Sequence, residues 1–160
     1  MSDRLAGAIC TSPIGELILV GSEAGLKEIL WREQGLPPGA EIRRCAMLDD
    51  TAQQLGAYFA GELRRFELPL DLVGTPFQLQ AWRALADVPY GATVSYGEQA
   101  RRLGRPAAAR AVGAANGRNP VPIVLPCHRL VGADRSLVGF GGGLDRKAWL
   151  LEHEARVAVG

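Results

Sequence analysis

The stretch SYGEQARRLGRPAAARAVGAAN, Ser95 to Asn116, decides how the second half of the chain folds. Ser95-Tyr96-Gly97-Glu98 has the form of a capping box, so a short helix is expected from here through Leu103. Gly104 closes it, and Pro106 starts a second helix that runs to about Asn116. Two short helices across so tight a glycine turn predict a helix-turn-helix. The second helix carries alanines and a single Arg110, whereas a helix that reads bases in the major groove presents several polar side chains. Its slim surface suits close approach to a backbone or a minor groove, with little sequence specificity. Viewed alone it is as good an alanine-rich packing helix. The charges around it favour a polyanion: Arg101, Arg102, Arg105, Arg110, Arg118 and Arg129 lie within residues 101–129, which hold no carboxylate.

Upstream, Thr75-Pro76 is an N-cap followed by proline at the first helical position, and Phe77, Ala81, Trp82 and Leu85 form an apolar helical face ended by Pro89 and Gly91. Downstream comes Asn119-Pro120-Val121-Pro122-Ile123-Val124-Leu125-Pro126-Cys127-His128-Arg129. Ile123 to Leu125 is expected to be a short buried strand delivering Cys127 at its exit. By itself a Cys-His pair more often marks a core cysteine with a chance neighbour than a nucleophile. A glycine-rich loop follows, Gly132 to Gly143. It lacks the Lys-Ser/Thr of a phosphate loop and the dinucleotide fingerprint, and is better read as a wall that admits a flat ligand. In the last helix, Leu144 to about Ala155, the spacing turns Leu144, Ala148 and Leu151 inward. It makes Glu154 a candidate buried carboxylate and sends Glu152 to solvent.

The first half reads as scaffold. Gly15–Gly21 and Gly25–Trp31 are apolar runs around Ser22-Glu23-Ala24, a hairpin within a strand-rich segment 5–32. A Pro/Gly-rich loop spans Gly35 to Gly39, a helix is expected from Asp50 with Asp49 or Asp50 as its cap, and Glu67–Val73 is strand-like. The fold class is therefore α+β: a small N-terminal β-sheet domain with one helix, residues 1–74, and a mainly helical domain carrying the helix-turn-helix, residues 75–160. Residues 1–74 hold 7 basic and 11 acidic side chains and residues 75–160 hold 11 and 6, an asymmetry hidden in a net charge of +1. Cys10, Cys45 and Cys127 are an odd set without CxxC spacing, which argues for a reducing, cytoplasmic setting and against a disulfide scaffold. Acidic Asp3 and the lack of a sustained apolar segment speak against a signal peptide or a membrane span.

Cys127, His128 and Glu154 together suggest a nucleophile, a base and an orienting carboxylate. The imidazole would take the thiol proton directly or through water, since sequence neighbours meet awkwardly side chain to side chain. The residues alone leave the electrophile open between an acyl carbon and an alkyl carbon.

Val94-Ser95-Tyr96-Gly97, Arg110-Ala111-Val112-Gly113, Asn119-Pro120 through Pro126-Cys127-His128-Arg129, Gly142-Gly143-Leu144 and Trp149-Leu150-Leu151 to Glu154 resemble the O6-alkylguanine-DNA alkyltransferases. Ser12-Pro13-Ile14-Gly15 and Gly25-Leu26 extend the resemblance over nearly the whole chain. It implies a ribonuclease-H-like N-terminal domain and a monomer that binds double-stranded DNA through the minor groove. It implies a single irreversible transfer of an alkyl group from guanine O6, and less well thymine O4, of a flipped-out base to Cys127. It assigns Cys127, His128, Glu154, Asn119 and Tyr96 to the chemistry. Arg110, which would fill the gap left by the base, joins Tyr96, Ser95, Ala109, Ala111, Gly113 and Arg118 on DNA, and Arg129, Val138, Gly139 and Phe140 at the substrate. Phe140 falls near where many members carry tyrosine, which removes a hydroxyl from beside the base. No cofactor is required, because the protein is itself the acceptor, and the metal ligands of some members are not recognisable, so no zinc is expected. The resemblance places the protein in the cytoplasm, on the nucleoid when bound to DNA. Three rivals stand beside this reading. A lesion-binding relative without chemistry would lack the cysteine. A cysteine hydrolase would not need the Ala/Arg helix, and a helix-turn-helix regulator would need base-reading side chains.

Overall fold

A computed structural model describes residues 4–160, so Met1–Asp3, on which part of the N-terminal reading rests, lie outside the described residues. The chain divides into two compact units, one ending at Leu72 and one spanning Val73–Gly160. The first is a four-stranded sheet in the order β3-β2-β1-β4, with β1 Leu5–Cys10, β2 Leu17–Ser22, β3 Gly25–Trp31 and β4 Ala40–Ile42. The expected hairpin is β2-β3, antiparallel with Leu17 opposite Trp31, and β1 runs antiparallel to β2. Leu17, Ile18, Leu19 and Val20 are all buried, as an unbroken apolar run must be in a central strand covered on both faces. Gly25 admits a close crossing: a Cβ there would lie 2.5 Å from the Pro69 carbonyl oxygen, which accepts a bond from Leu26 N–H.

Three local expectations change in this unit. The helix α1 begins at Ala46 and runs to Phe59, with Cys45 rather than Asp49 or Asp50 at its N-cap. Its apolar stripe reaches back to Leu48, and burying Leu48, Thr51, Leu55 and Tyr58 against the sheet outweighs the better aspartate cap. Residues 67–73 make one bridge, Leu70 to Leu26, instead of a strand. The short β4, parallel to β1, follows directly on the Pro/Gly loop, where the pattern is too brief to register.

The second unit is helical. α2 Pro76–Ala84 starts at the Thr75 capping box, closed by Gln78, and buries Ala81 and Trp82. α3 Tyr96–Arg102 starts at the Ser95 capping box, closed by Glu98. Each such cap contributes about 1 kcal/mol. α4 is Ala109–Gly117 and packs on α2 and α3. It begins three residues beyond Pro106, because residues 105–108 form a turn in which Ala108 N–H bonds the Arg105 carbonyl. The Trp82 indole donates to the Ala115 carbonyl at 2.7 Å, tying α2 to the last turn of α4. β5 Val94–Ser95 and β6 Leu130–Val131 form a two-residue parallel pair, and α5 is Leu144–Val159.

Ile123 to Leu125 is buried as expected but is not a strand. Ile123 adopts φ 75°, and Leu125 N–H closes back on the Val121 carbonyl at 3.0 Å. Prolines at 120, 122 and 126 remove the N–H groups a ladder would need, so the run folds into a turn. On α5 the buried face is Lys147, Leu150, His153 and Glu154, while Leu144 is 48% exposed and Ala148 and Leu151 are half-buried. The observed stripe is rotated by about one residue from the expected one, because Lys147 turns inward. Among the described residues no helix is long and apolar enough to cross a membrane.

Candidate active site

Leu125-Pro126-Cys127 forms an inverse γ-turn, with Pro126 at φ −78°, ψ 68° and Cys127 N–H bonded to the Leu125 carbonyl at 2.7 Å. The proline ring supplies that φ in advance. Asn119 braces the turn: its Nδ2 donates to the Leu125 carbonyl at 2.8 Å, and its Oδ1 accepts from Val121 N–H at 3.0 Å. Cys127 then opens one turn of 3-10 helix, Cys127–Arg129, in which all three side chains are buried.

His128 is fully enclosed, and its Nε2 lies 2.7 Å from Glu154 Oε2. The Arg129 guanidinium takes the same carboxylate: Nε donates to Oε1 at 2.8 Å and Nη2 to Oε2 at 3.0 Å, while Nη1 donates to the Val88 carbonyl at 2.8 Å. Burial raises the Glu154 pKa, but the His128 and Arg129 partners prevail and hold the carboxyl well below the usual carboxylate range. An ionised Glu154 requires the proton of His128 to sit on Nε2, which leaves Nδ1 as a bare acceptor. Nδ1 is buried with no hydrogen-bond partner. Burial also lowers the His128 pKa, against the pull of Glu154, so the ring is poised neutral.

Burial pushes the Cys127 thiol up to about 11, opposed by the Asn119 amide and the Lys147 ammonium. The resting nucleophile is therefore a protonated thiol that needs a base. His128 Nδ1 makes no hydrogen bond, so no direct bond joins the imidazole to the thiol, and a proton passing between them would travel through a water.

Tyr96, the first residue of α3, is half-buried and its hydroxyl donates to the Val138 carbonyl at 2.9 Å. Burial, and secondarily the nearby Cys127, raise its pKa while Asn116 opposes, so the phenol keeps its proton. The structure thus brings together Cys127, His128, Glu154, Asn119, Tyr96 and the Val138-Gly139 edge of the glycine-rich loop. Phe140 is half-buried in that loop. Arg110, Ala111 and Arg118 lie exposed along α4 and its end, with Ala109 and Gly113 partly covered; the Tyr96 ring lies over Gly113. The first turn of α4 has no side-chain cap.

Two expected contact residues face inward. Ser95 is buried, with its Oγ spent on Glu98 N–H. Arg129 is 6% exposed, and Nε, Nη1 and Nη2 are all occupied by Glu154 and Val88. Of the six clustered arginines, Arg105 also has a partner, its guanidinium 5.5 Å from the centre of the Phe77 ring. Two residues escaped the sequence reading. Lys147 is fully buried, donating to the carbonyls of Leu130 at 2.6 Å, Val138 at 2.8 Å and Gly139 at 3.3 Å. Asn116 is buried and its Nδ2 donates to the Cys127 carbonyl at 3.1 Å. The available signal was the same for both: a polar residue at helical spacing on an apolar stripe, Lys147 before Leu150 and Glu154, Asn116 after Val112.

Residues 76–156 match the family described as 6-O-methylguanine DNA methyltransferase, DNA binding domain, and residues 7–72 match its ribonuclease-like domain. A methylated-DNA–protein-cysteine methyltransferase of Mycolicibacterium paratuberculosis is 50% identical over 147 residues, covering 91% of this chain and 89% of the relative. One from Methanosarcina acetivorans is 45% identical, covering 92% and 96%. The crystal structure of Mycobacterium tuberculosis OGT in complex with DNA superposes with a TM-score of 0.88 at 46% identity, covering 96% of this chain and 93% of that one.

Proposed function

The chain belongs to the 6-O-methylguanine DNA methyltransferase family, and on that premise we propose that it repairs DNA by moving an alkyl group from guanine O6 onto Cys127. The observation that carries this assignment is the fixed order thiol, bare imidazole nitrogen, ionised carboxylate: His128 is turned by Glu154 so that its only free nitrogen is the one that can accept a proton.

The thiol proton passes to His128 Nδ1 through a water, and the imidazolium so formed is held by Glu154. Sulfur attacks the alkyl carbon in line, the S–C bond forms and the C–O6 bond breaks. The electron pair goes to guanine, which takes a proton from the Tyr96 hydroxyl; the phenolate recovers a proton from the His128 imidazolium, so the net result is a thioether and a restored guanine that carries the thiol's proton. Lys147, whose ammonium lies 5.9 Å from the centre of the Tyr96 ring, offsets the charge left on the phenol. Arg129 acts as a positioning residue that locks Glu154, and Asn119 shapes the turn that presents the sulfur. A neutral thioether does not readily expel its thiolate, so the reaction stops after one turnover.

Residues 73–160 form the DNA-binding and catalytic part and the sheet unit its scaffold. The uncapped first turn of α4 and exposed Arg110 and Arg118 meet the phosphate backbone from the minor groove, and Arg110 fills the stack vacated by the base. The protein works as a cytoplasmic monomer.

The test is intact mass followed by peptide mapping after incubation with duplex DNA carrying O6-methylguanine. The expected result is one added methyl group, on the peptide bearing Cys127, and no second turnover. An unmodified Cys127 beside an unrepaired lesion would refute the assignment. Cys127→Ala should fold and transfer nothing.

A further inference from the structure

The glycine-rich loop that edges the site opens with a tight turn. Arg135 N–H bonds the Gly132 carbonyl at 2.8 Å, and Gly132 N–H bonds the Ser136 carbonyl at 2.9 Å. Arg135 has φ 67°; among the described residues, Ile123 is the one other non-glycine residue with positive φ. A turn closed by one left-handed residue ordinarily has glycine there, because a Cβ disfavours that conformation. An arginine at this position strains the backbone, and its side chain shows what is gained in return. Nη2 lies 3.0 Å from Glu98 Oε1, and Nη1 donates to the Thr93 carbonyl at 3.4 Å. The same Oε1 accepts Ser95 N–H at 3.1 Å, so one carboxylate oxygen both caps α3 and holds the loop.

Tyr96 stands on this corner and makes a second attachment. Its hydroxyl donates to the carbonyl of Val138, three residues beyond Arg135, and Lys147 holds that carbonyl and the one after it from α5. The two attachments to α3 have different fates during transfer. A Tyr96 hydroxyl that gives its proton to guanine no longer donates it to Val138, so that bond breaks in the step itself. The Arg135–Glu98 bond involves no reacting group and persists. We propose that Arg135 is a positioning residue, clasping the loop to the start of α3 so that Val138 and Gly139 stay in place while the Tyr96 hydroxyl turns to the base. This rests on the reading of Tyr96 as proton donor in the transfer to Cys127. The Arg135 and Glu98 side chains are 54% and 37% exposed, so the clasp is modest and salt loosens it. The rival role for such an arginine is a phosphate contact, which would alter affinity for DNA and leave the rate within the bound complex alone.

The experiment follows methyl addition to Cys127 against the concentration of duplex DNA carrying O6-methylguanine, which separates the maximal rate from the half-saturating concentration. Arg135→Asn tolerates the left-handed backbone but is too short to reach Glu98. Glu98→Gln keeps an oxygen for Ser95 N–H and loses the charge. Each should lower the maximal rate by about threefold and leave the half-saturating concentration unaltered. The double variant should lose no more than the larger single loss, because both changes break one bond. With the free base O6-methylguanine, raising salt from about 0.05 M to about 0.5 M should slow the unaltered protein by a similar factor and leave Arg135→Asn unchanged. A raised half-saturating concentration at an unchanged maximal rate would overturn the proposal in favour of a phosphate contact. Additive losses in the double variant would overturn it too. If Tyr96→Phe transfers as fast as the unaltered protein, the reading on which the proposal rests fails instead.

Discussion

Among the described residues, the unit ending at Leu72 buries a single polar side chain, Thr51, whose hydroxyl donates to the Met47 carbonyl one turn back. The unit from Val73 onward buries eight: Ser95, Gln99, Asn116, His128, Arg129, Lys147, His153 and Glu154. The first keeps its ion pairs outside, as between Arg32 and Glu16. The second sinks Arg129, His128 and Glu154 into its interior. Apolar burial suffices to hold a sheet and a helix together, so buried charge in the other unit needs a different reason. Replacing such a network with apolar side chains is often neutral or stabilising, which means it is retained for what it does to the histidine.

Glu154→Gln should break this contrast most sharply. Arg129 would stay buried without a counter-charge, so urea denaturation should register a loss of about 3–5 kcal/mol. Methyl transfer should slow by about a hundredfold, since the imidazolium loses its stabilising carboxylate while Nε2 keeps an acceptor. The sign of the pH dependence follows from the same groups. His128 and Glu154 both have folded pKa values below their ordinary 6.5 and 4.5, so the unfolded chain takes up protons first and stability falls as pH drops below 6.5 and again below 4.5. Cys127, raised from 9.0 to about 11, acts the other way: its contribution is present below 9.0 and lost as pH climbs toward 11. Wild-type stability should therefore level off between these limbs, and Glu154→Gln should remove the lowest part of the acid limb. An acid limb unaltered in that variant would show that the carboxylate is not held ionised by its partners.

Arg110→Ala asks whether the exposed face of α4 serves DNA as the buried face serves the thiol. Repair of O6-methylguanine in duplex DNA should slow by about tenfold, because the vacated stack is no longer filled. Reaction with a free O6-alkylated guanine, which has no stack to leave, should be unaltered. Equal losses on both substrates would take α4 out of base extrusion.

How much of this could be read before the structure depended on the range of the interaction. The Thr75 N-cap, the Ser95 capping box, the β2-β3 hairpin and the buried Glu154 follow from spacings of two to four residues, and all were legible. The turn at Ile123 was not, because an apolar run between prolines looks the same whether it extends or folds back, and only the missing N–H groups decide. The inward stripe of α5 was misjudged by about one position, because Lys147 is buried by three carbonyls brought from Leu130, Val138 and Gly139, far from it in sequence. Arg129 was expected at the substrate for a similar reason. Its partners, Glu154 and Val88, lie 25 and 41 residues away.

The smallest expected effect is in the sheet unit, and it is the control that gives the comparison its meaning. Arg32, just after β3, bridges to Glu16 across the turn that leads into β2, and the two side chains are 56% and 45% exposed. Arg32 N–H also bonds the Glu16 carbonyl, so the backbone holds this junction without the charges. Arg32→Ala should therefore cost less than about 1 kcal/mol, and less still in high salt, where screening weakens an exposed pair. Methyl transfer to Cys127 should be unaffected. A loss as large as that in Glu154→Gln would mean that burial is not what separates the two kinds of ion pair. In that event the acid limb and the rate loss in Glu154→Gln could no longer be assigned to the enclosed histidine.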